Sequence, residues 1–91
     1  MANEPLPPPV IEFPCEYPIK VIADSHPQLV SQVVSILRRY DANLSLDKLK
    51  ERPSRDGNYT SVTVFITATG EPQLKALFEE FKTHHWVRMV L

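Results

Sequence analysis

The chain has one cysteine, two glycines and no long apolar run. A lone Cys15 excludes an internal disulfide and suits a reducing compartment. It is expected just before the first strand, as an ordinary thiol. No glycine-rich phosphate cradle is present, and neither is a G-x-S-x-G, C-x-x-C or zinc-helix motif. No stretch approaches the ~20 apolar residues that cross a bilayer. The N-terminus has neither the basic segment nor the apolar core of a signal peptide. Charge of one sign is lacking too. Ten basic and eleven acidic side chains leave a net charge of -1, which gives no general attraction to nucleic acid or anionic lipid. These absences predict a cytoplasmic protein that is not an enzyme, holds no cofactor or metal, and touches neither membrane nor nucleic acid.

What is present is one domain's worth of patterned chain. The length is 91 residues and the apolar share 43%, which suits a small globular protein. Six of the nine prolines (Pro5, Pro7, Pro8, Pro9, Pro14 and Pro18) fall near the start. Proline fixes φ and removes a backbone donor. Residues 1–14 are therefore expected to form a Pro-rich, partly disordered arm, in which Val10, Ile11 and Phe13 could pack over an edge of the domain formed by 15–91.

Within that domain, Tyr17, Ile19, Val21 and Ala23 alternate with Pro18, Lys20 and Ile22, the signature of a first strand. A helix should follow, opened by Asp24 or Ser25, with Gln28 completing a capping box and Pro27 in the first turn. Leu29, Val30, Val33, Val34, Ile36, Leu37 and Tyr40 give it a broad apolar face to about Tyr40. A second strand is read over roughly Leu44 to Arg52, with a bulge near Lys48. Pro53 to Asn58 is loop chemistry. The third strand, Tyr59 to Ala68, is the clearest. Leu74, Leu77, Phe78 and Phe81 mark a second helix, closed by His84 and His85. Trp86 to Leu91 is a fourth strand.

The order β-α-β-β-α-β predicts an α+β ferredoxin-like sandwich. Its sheet should be four-stranded and antiparallel, in the order 4-1-3-2, with two helices on one face. Val21, Val64, Ile66, Val33, Leu37, Leu77 and Phe81 should meet in the core. The helix-free face should carry Ile22, Tyr59, Phe65 and one of Met89 or Val90. An apolar face of this kind marks a contact site, so a homodimer is expected there or at an edge strand, with Ile22, Phe65, Met89 and Val90 as the dimer face.

The same topology collects remote turns at one pole. Asp24, Ser25 and His26 should approach Gly57, Asn58 and Tyr59 as well as His84 and His85. This cluster is the candidate site for a small metabolite or a protein partner. A helix N-terminus there favours an anion, though a plain cap is the simpler reading. A rival reading is a small enzyme or metal protein using Asp24, His26 and His84. Adjacent helical residues point about 100° apart, so His84 and His85 are poorly placed to share one metal. Lys48, Lys50, Arg52 and Arg55 form a basic patch diluted by Asp47, Glu51 and Asp56, expected to be a solvated hairpin. Tyr59 and Phe65 only weakly match the stacking platform of RNA-recognition modules.

Several segments carry a family resemblance. Glu12-Phe13-Pro14 leads into Tyr17-Pro18-Ile19-Lys20-Val21. Pro27-Gln28-Leu29-Val30 opens a Val-rich helix. Gly57-Asn58-Tyr59-Thr60-Ser61-Val62 starts a strand ending Thr67-Ala68-Thr69, and the chain closes Val87-Arg88-Met89-Val90-Leu91. Over roughly residues 11 to 91 this resembles the YbeD-like family of small bacterial proteins. The resemblance implies a fold similar to ACT regulatory domains, a regulatory or interaction role without established activity, and a link to lipoate metabolism. ACT domains bind amino acids through a loop after the first strand that often reads Asp-x-Pro-Gly-Leu. Here Asp24-Ser25-His26-Pro27-Gln28-Leu29 keeps the aspartate, proline and leucine at different spacing and has no glycine. Close backbone approach to an amino acid is disfavoured without it.

Overall fold

A computed structural model describes residues 12–91. Six elements run in the expected order: β1 (Cys15–Asp24), α1 (Leu29–Arg38), β2 (Lys50–Pro53), β3 (Tyr59–Ala68), α2 (Glu71–Thr83) and β4 (Val87–Val90). The sheet order is β2-β3-β1-β4, fully antiparallel. It is the expected 4-1-3-2 read from the other edge. Alternation decides the faces. Ile19, Val21 and Ala23 of β1 and Val62, Val64 and Ile66 of β3 are buried, together with Val33 and Leu37 of α1 and Leu77 and Phe81 of α2. Both helices therefore bury their apolar stripes on the same side of the sheet.

Four local expectations fail for identifiable reasons. The Ser25–Gln28 capping box is absent. Ser25 Oγ instead shares a 2.7 Å hydrogen bond with Thr60 Oγ1, and the Ser25 N–H donates to the Asn58 carbonyl at 3.0 Å. The helix therefore begins later, at Leu29, without a side-chain cap. It also ends before Tyr40, because Arg39 and Tyr40 donate to the carbonyls of Ile36 and Leu37, three residues back. Such bonds tighten a last turn and stop the helix.

The strand read from Leu44 is a loop as far as Leu49. Leu44 N–H closes a turn onto Asp41 and its side chain is buried, while Leu46 is 39% exposed and its carbonyl accepts from Leu49 N–H. The Leu44/Leu46 alternation reflects one anchoring side chain and a turn, with ladder pairing confined to Lys50–Pro53 against Thr60–Thr63. Pro53, which lacks an N–H, fits because β2 is an edge strand. Third, His84 and His85 lie beyond α2. His84 is extended, with φ -86° and ψ 125°, so the helical spacing argument does not apply to the pair. Last, Cys15 lies within β1, opposite Ala68, instead of preceding the strand.

Phe13 is partly buried against the core; Val10 and Ile11 lie outside the described residues. The sheet edge formed by β4 bulges at Arg88, since Ile22 faces Met89 while Ala23 faces Val87. Pairing continues past β4, where Lys20 and Leu91 exchange both backbone hydrogen bonds at 3.0 and 2.8 Å. Among the described residues no helix is long and apolar enough to cross a membrane.

Truncating Phe81 to alanine should cost about 3–5 kcal/mol, a large part of what holds so small a domain together. Leu46→Ala, on the exposed side of the loop, should stay within about 0.5 kcal/mol. Urea unfolding of both variants checks the contrast.

Candidate binding site

The pole assembles as the topology requires, and most of its polar groups are already engaged. Asp24 ends β1 and receives both Nε and a terminal nitrogen of Arg88, at 2.9 and 3.1 Å. The β4 bulge turns Arg88 toward this carboxylate. The pairing holds the guanidinium above its ordinary pKa, chiefly through the hydrogen bond to Asp24. Ser25 is spent on Thr60 and Asn58. His26 stands edge-on to Trp86, with ring centroids 6.0 Å apart, and His84 lies tilted against the same indole at 5.0 Å. His26 and His84 thus flank one indole ring, while both Asp24 oxygens face Arg88. Among the described residues no three of His, Cys, Asp and Glu converge as a cage. His85 is exposed.

The β2–β3 loop is a self-contained turn. Ser54 N–H donates to the Tyr59 carbonyl at 2.7 Å and Gly57 N–H to the Ser54 carbonyl at 3.0 Å. Asp56 Oδ1 accepts from Ser54 Oγ and from Asn58 N–H, while Asn58 Nδ2 donates to Asp56 Oδ2. These donors hold the Asp56 carboxyl below its usual 3.8, Ser54 contributing most. Gly57 sits at φ +78°, where a side chain is strained. Of the loop residues named as site candidates, Tyr59 leaves a side chain in the open, 43% exposed.

The helix-free face is where unpaired cations collect. Register places Lys20, Thr63 and Lys50 side by side across three strands, and Met89, Ile22, Ser61 and Arg52 across four. A groove of about 470 Å³ runs over Lys20, Lys50, Glu51, Arg52, Ser61 and Thr63. An adjoining depression of about 270 Å³ continues past Ile22 to Tyr59. Lys20, Lys50 and Arg52 are exposed, and none forms an ion pair among the described residues.

The hairpin patch read from sequence is thereby divided. Lys48 turns to Glu16 at 2.7 Å and covers the Phe65 ring at 5.3 Å from its centroid. Lys50 and Arg52 join Lys20 from β1, a partner that linear proximity could not suggest. The signal was available in the outward parity of Lys20 and its pairing to Thr63. Of the residues named for a dimer face, Met89 is 52% exposed beside half-buried Ile22. Val90 faces Val21 and packs on the core side, so the helix-free face takes Met89 and excludes Val90.

The Asp56 turn should register acid directly. Its depressed carboxyl stabilises the loop at neutral pH, and that contribution is lost as pH falls below 3.8 through the lower folded value. An NMR titration of the Asn58 amide should have its midpoint below 3.8; a midpoint at or above it would show that Asp56 does not accept these bonds. Gly57→Ala should cost about 1–2 kcal/mol from the left-handed backbone alone, read by thermal unfolding.

Comparison with known proteins places this geometry in a lineage. The family model described as "Protein of unknown function (DUF493)" matches residues 8–91. A UPF0250 protein of Azotobacter vinelandii is 45% identical over 84 residues, covering 91% of each chain. Among solved structures, the ACT domain from the GTP pyrophosphokinase of Chlorobium tepidum superposes with a TM-score of 0.61 at 12% identity, over 81% of this chain and 80% of that one. The C-terminal domain of the MgtC protein from Mycobacterium tuberculosis does so with a TM-score of 0.61 at 20% identity, over 90% and 89%. These two likenesses establish an ACT-like, ferredoxin-like fold, and the sequence matches establish the lineage: the chain belongs to the bacterial DUF493/UPF0250 family, the YbeD-like proteins.

Proposed function

We propose that this chain is a non-catalytic regulatory or interaction module whose contact surface is the helix-free face of its sheet. One observation carries the reading. At the pole Asp24 is paired with Arg88, Ser25 with Thr60 and Asn58 with Asp56, whereas the groove along Lys20, Lys50, Glu51, Arg52, Ser61 and Thr63 presents three cations of which none forms an ion pair among the described residues. The ACT-like fold supports a regulatory role by likeness of architecture. Titrating the isotopically labelled chain with a lipoate derivative tests the lipoate link implied by the family resemblance; the absence of amide shifts at Lys20 and Ile22 would remove it. A lipoate derivative offers a carboxylate on an apolar body, chemistry that Lys20 beside Ile22 could accept.

A homodimer is the second reading for this face, favoured by exposed Met89 beside Ile22. Sedimentation at high concentration tests it: a monomer throughout would remove it, and a dimer dissociated by Met89→Lys would support it.

The contact surface itself is tested by photo-crosslinking in living cells. A benzophenone side chain at position 61 should give discrete adducts. The same probe at Lys75, on the exposed side of α2, should give none. Adducts from Lys75 or Asn58 with none from position 61 would overturn the reading.

A further inference from the structure

Resting on the reading that the helix-free face is the contact surface, we infer that its occupant is an extended acidic segment of another protein, laid across Lys20, Lys50 and Arg52. The chain as a whole carries one more acid than base, yet two neighbouring rungs of the sheet gather three cations. Strands lie about 4.8 Å apart, so Lys20 and Lys50, separated by β3, have backbones roughly 10 Å apart. Lys50 and Arg52, two residues apart on one side of β2, are separated by about 7 Å. These spacings are near or within the screening length of roughly 8 Å at physiological salt, so the positive potentials overlap. Like charges so placed oppose folding unless something answers them. Glu51, between two of them in sequence, also borders the groove, but its register partner is core-facing Val62, so alternation directs its side chain to the other side of the strand and the groove keeps a net positive lining.

The spacing fits the occupant. In an extended peptide, residues i and i+2 share a face and stand about 7 Å apart, matching Lys50 and Arg52. Carboxylates at alternate positions would meet both while the hydroxyls of Ser61 and Thr63 lie between Lys20 and the β2 cations.

Other occupants fit worse. A second copy packed face to face about a twofold axis presents the same patch to itself, which sets Lys20, Lys50 and Arg52 against their own images. Nucleic acid would use stacking rings, but Lys48 covers Phe65, leaving Tyr59 as the exposed ring of this face. A small metabolite is normally enclosed over most of its surface, whereas the three cations lining this groove are themselves exposed.

The test uses the full chain, isotopically labelled, and a short synthetic peptide alternating glutamate with valine. Amide shifts should concentrate at Lys20, Lys50, Arg52, Ser61 and Thr63. Affinity should fall with added salt, and a lysine–valine peptide should leave the spectrum unchanged. The double variant Lys20→Glu, Arg52→Glu should weaken binding by at least about tenfold without lowering the unfolding midpoint, since both side chains are exposed and the reversal relieves their mutual repulsion. Arg55→Glu, a charge reversal in the β2–β3 loop beyond the rungs, should change little. Equal binding by the double variant, shifts confined to the pole, or tighter binding of citrate or single-stranded RNA than of the acidic peptide would overturn the inference. Its failure is separable from failure of the contact surface. If the acidic peptide does not bind while position 61 still crosslinks a non-acidic partner, the surface stands and the acidic occupant is wrong. If position 61 gives no adduct and the pole does, both fall.

Discussion

Everything in this protein is hung on the antiparallel ladder between β1 and β3. It joins Cys15–Asp24 to Tyr59–Ala68 without a register break. Period-two alternation along both strands sends Ile19, Val21, Val62, Val64 and Ile66 to the helices and Lys20, Ile22, Ser61 and Thr63 to the open side. A slip of one residue would exchange these two sets. In β1 it would turn Lys20 to the core side that holds Leu77 and Phe81, and burying an unpaired charge there is far costlier than losing an apolar contact. The core and the basic groove are thus two consequences of one register.

The two ends of the ladder are finished differently. At one end, Asp24 and Arg88 join β1 to β4, while Ser25 and Thr60 join the exit of β1 to β3. At the other, the outer edge of β3 runs past the short β2 and is closed by side chains. Asp41 accepts from Thr67 N–H, and Gln73 accepts from Thr69 N–H while donating to the carbonyls of Tyr40 and Thr67. Glu80 of α2 receives Arg39 and the Tyr40 hydroxyl from the far end of α1. These bonds tie α2 to the end of α1 and to the sheet. With each end tied in this way, the middle of the helix-free face is left to present Lys20, Lys50 and Arg52 to whatever comes.

The fold was legible because burial has a period. Leu74, Leu77, Phe78 and Phe81 can share one surface only on a helix, and Val62, Val64 and Ile66 only on a strand. Misreadings arose where a short-range pattern competed with a distant partner. Ser25 and Gln28 have the spacing of a capping box, but Thr60 offers the Ser25 hydroxyl a bond across strands. Leu44 and Leu46 alternate like a strand, but Leu44 is drawn into the core while the backbone turns. The pole was correctly foreseen as a gathering place, and its occupancy was not: that Asp24 would meet Arg88, 64 residues away, depends on a bulge with no mark of its own in composition or spacing.

Sequence by itself determined the order of elements, the faces that β1 and β3 bury, the sheet topology and the family, because these follow from periodicity and from motifs continuous along the chain. Tertiary structure alone decided which charges are neutralised and which are left over. Arg88 and Lys48 find carboxylates, whereas Lys20, Lys50 and Arg52 are set beside one another by strand pairing. Charge acts through space, and the separations that matter here are a few ångströms across strands whose residues lie tens of positions apart.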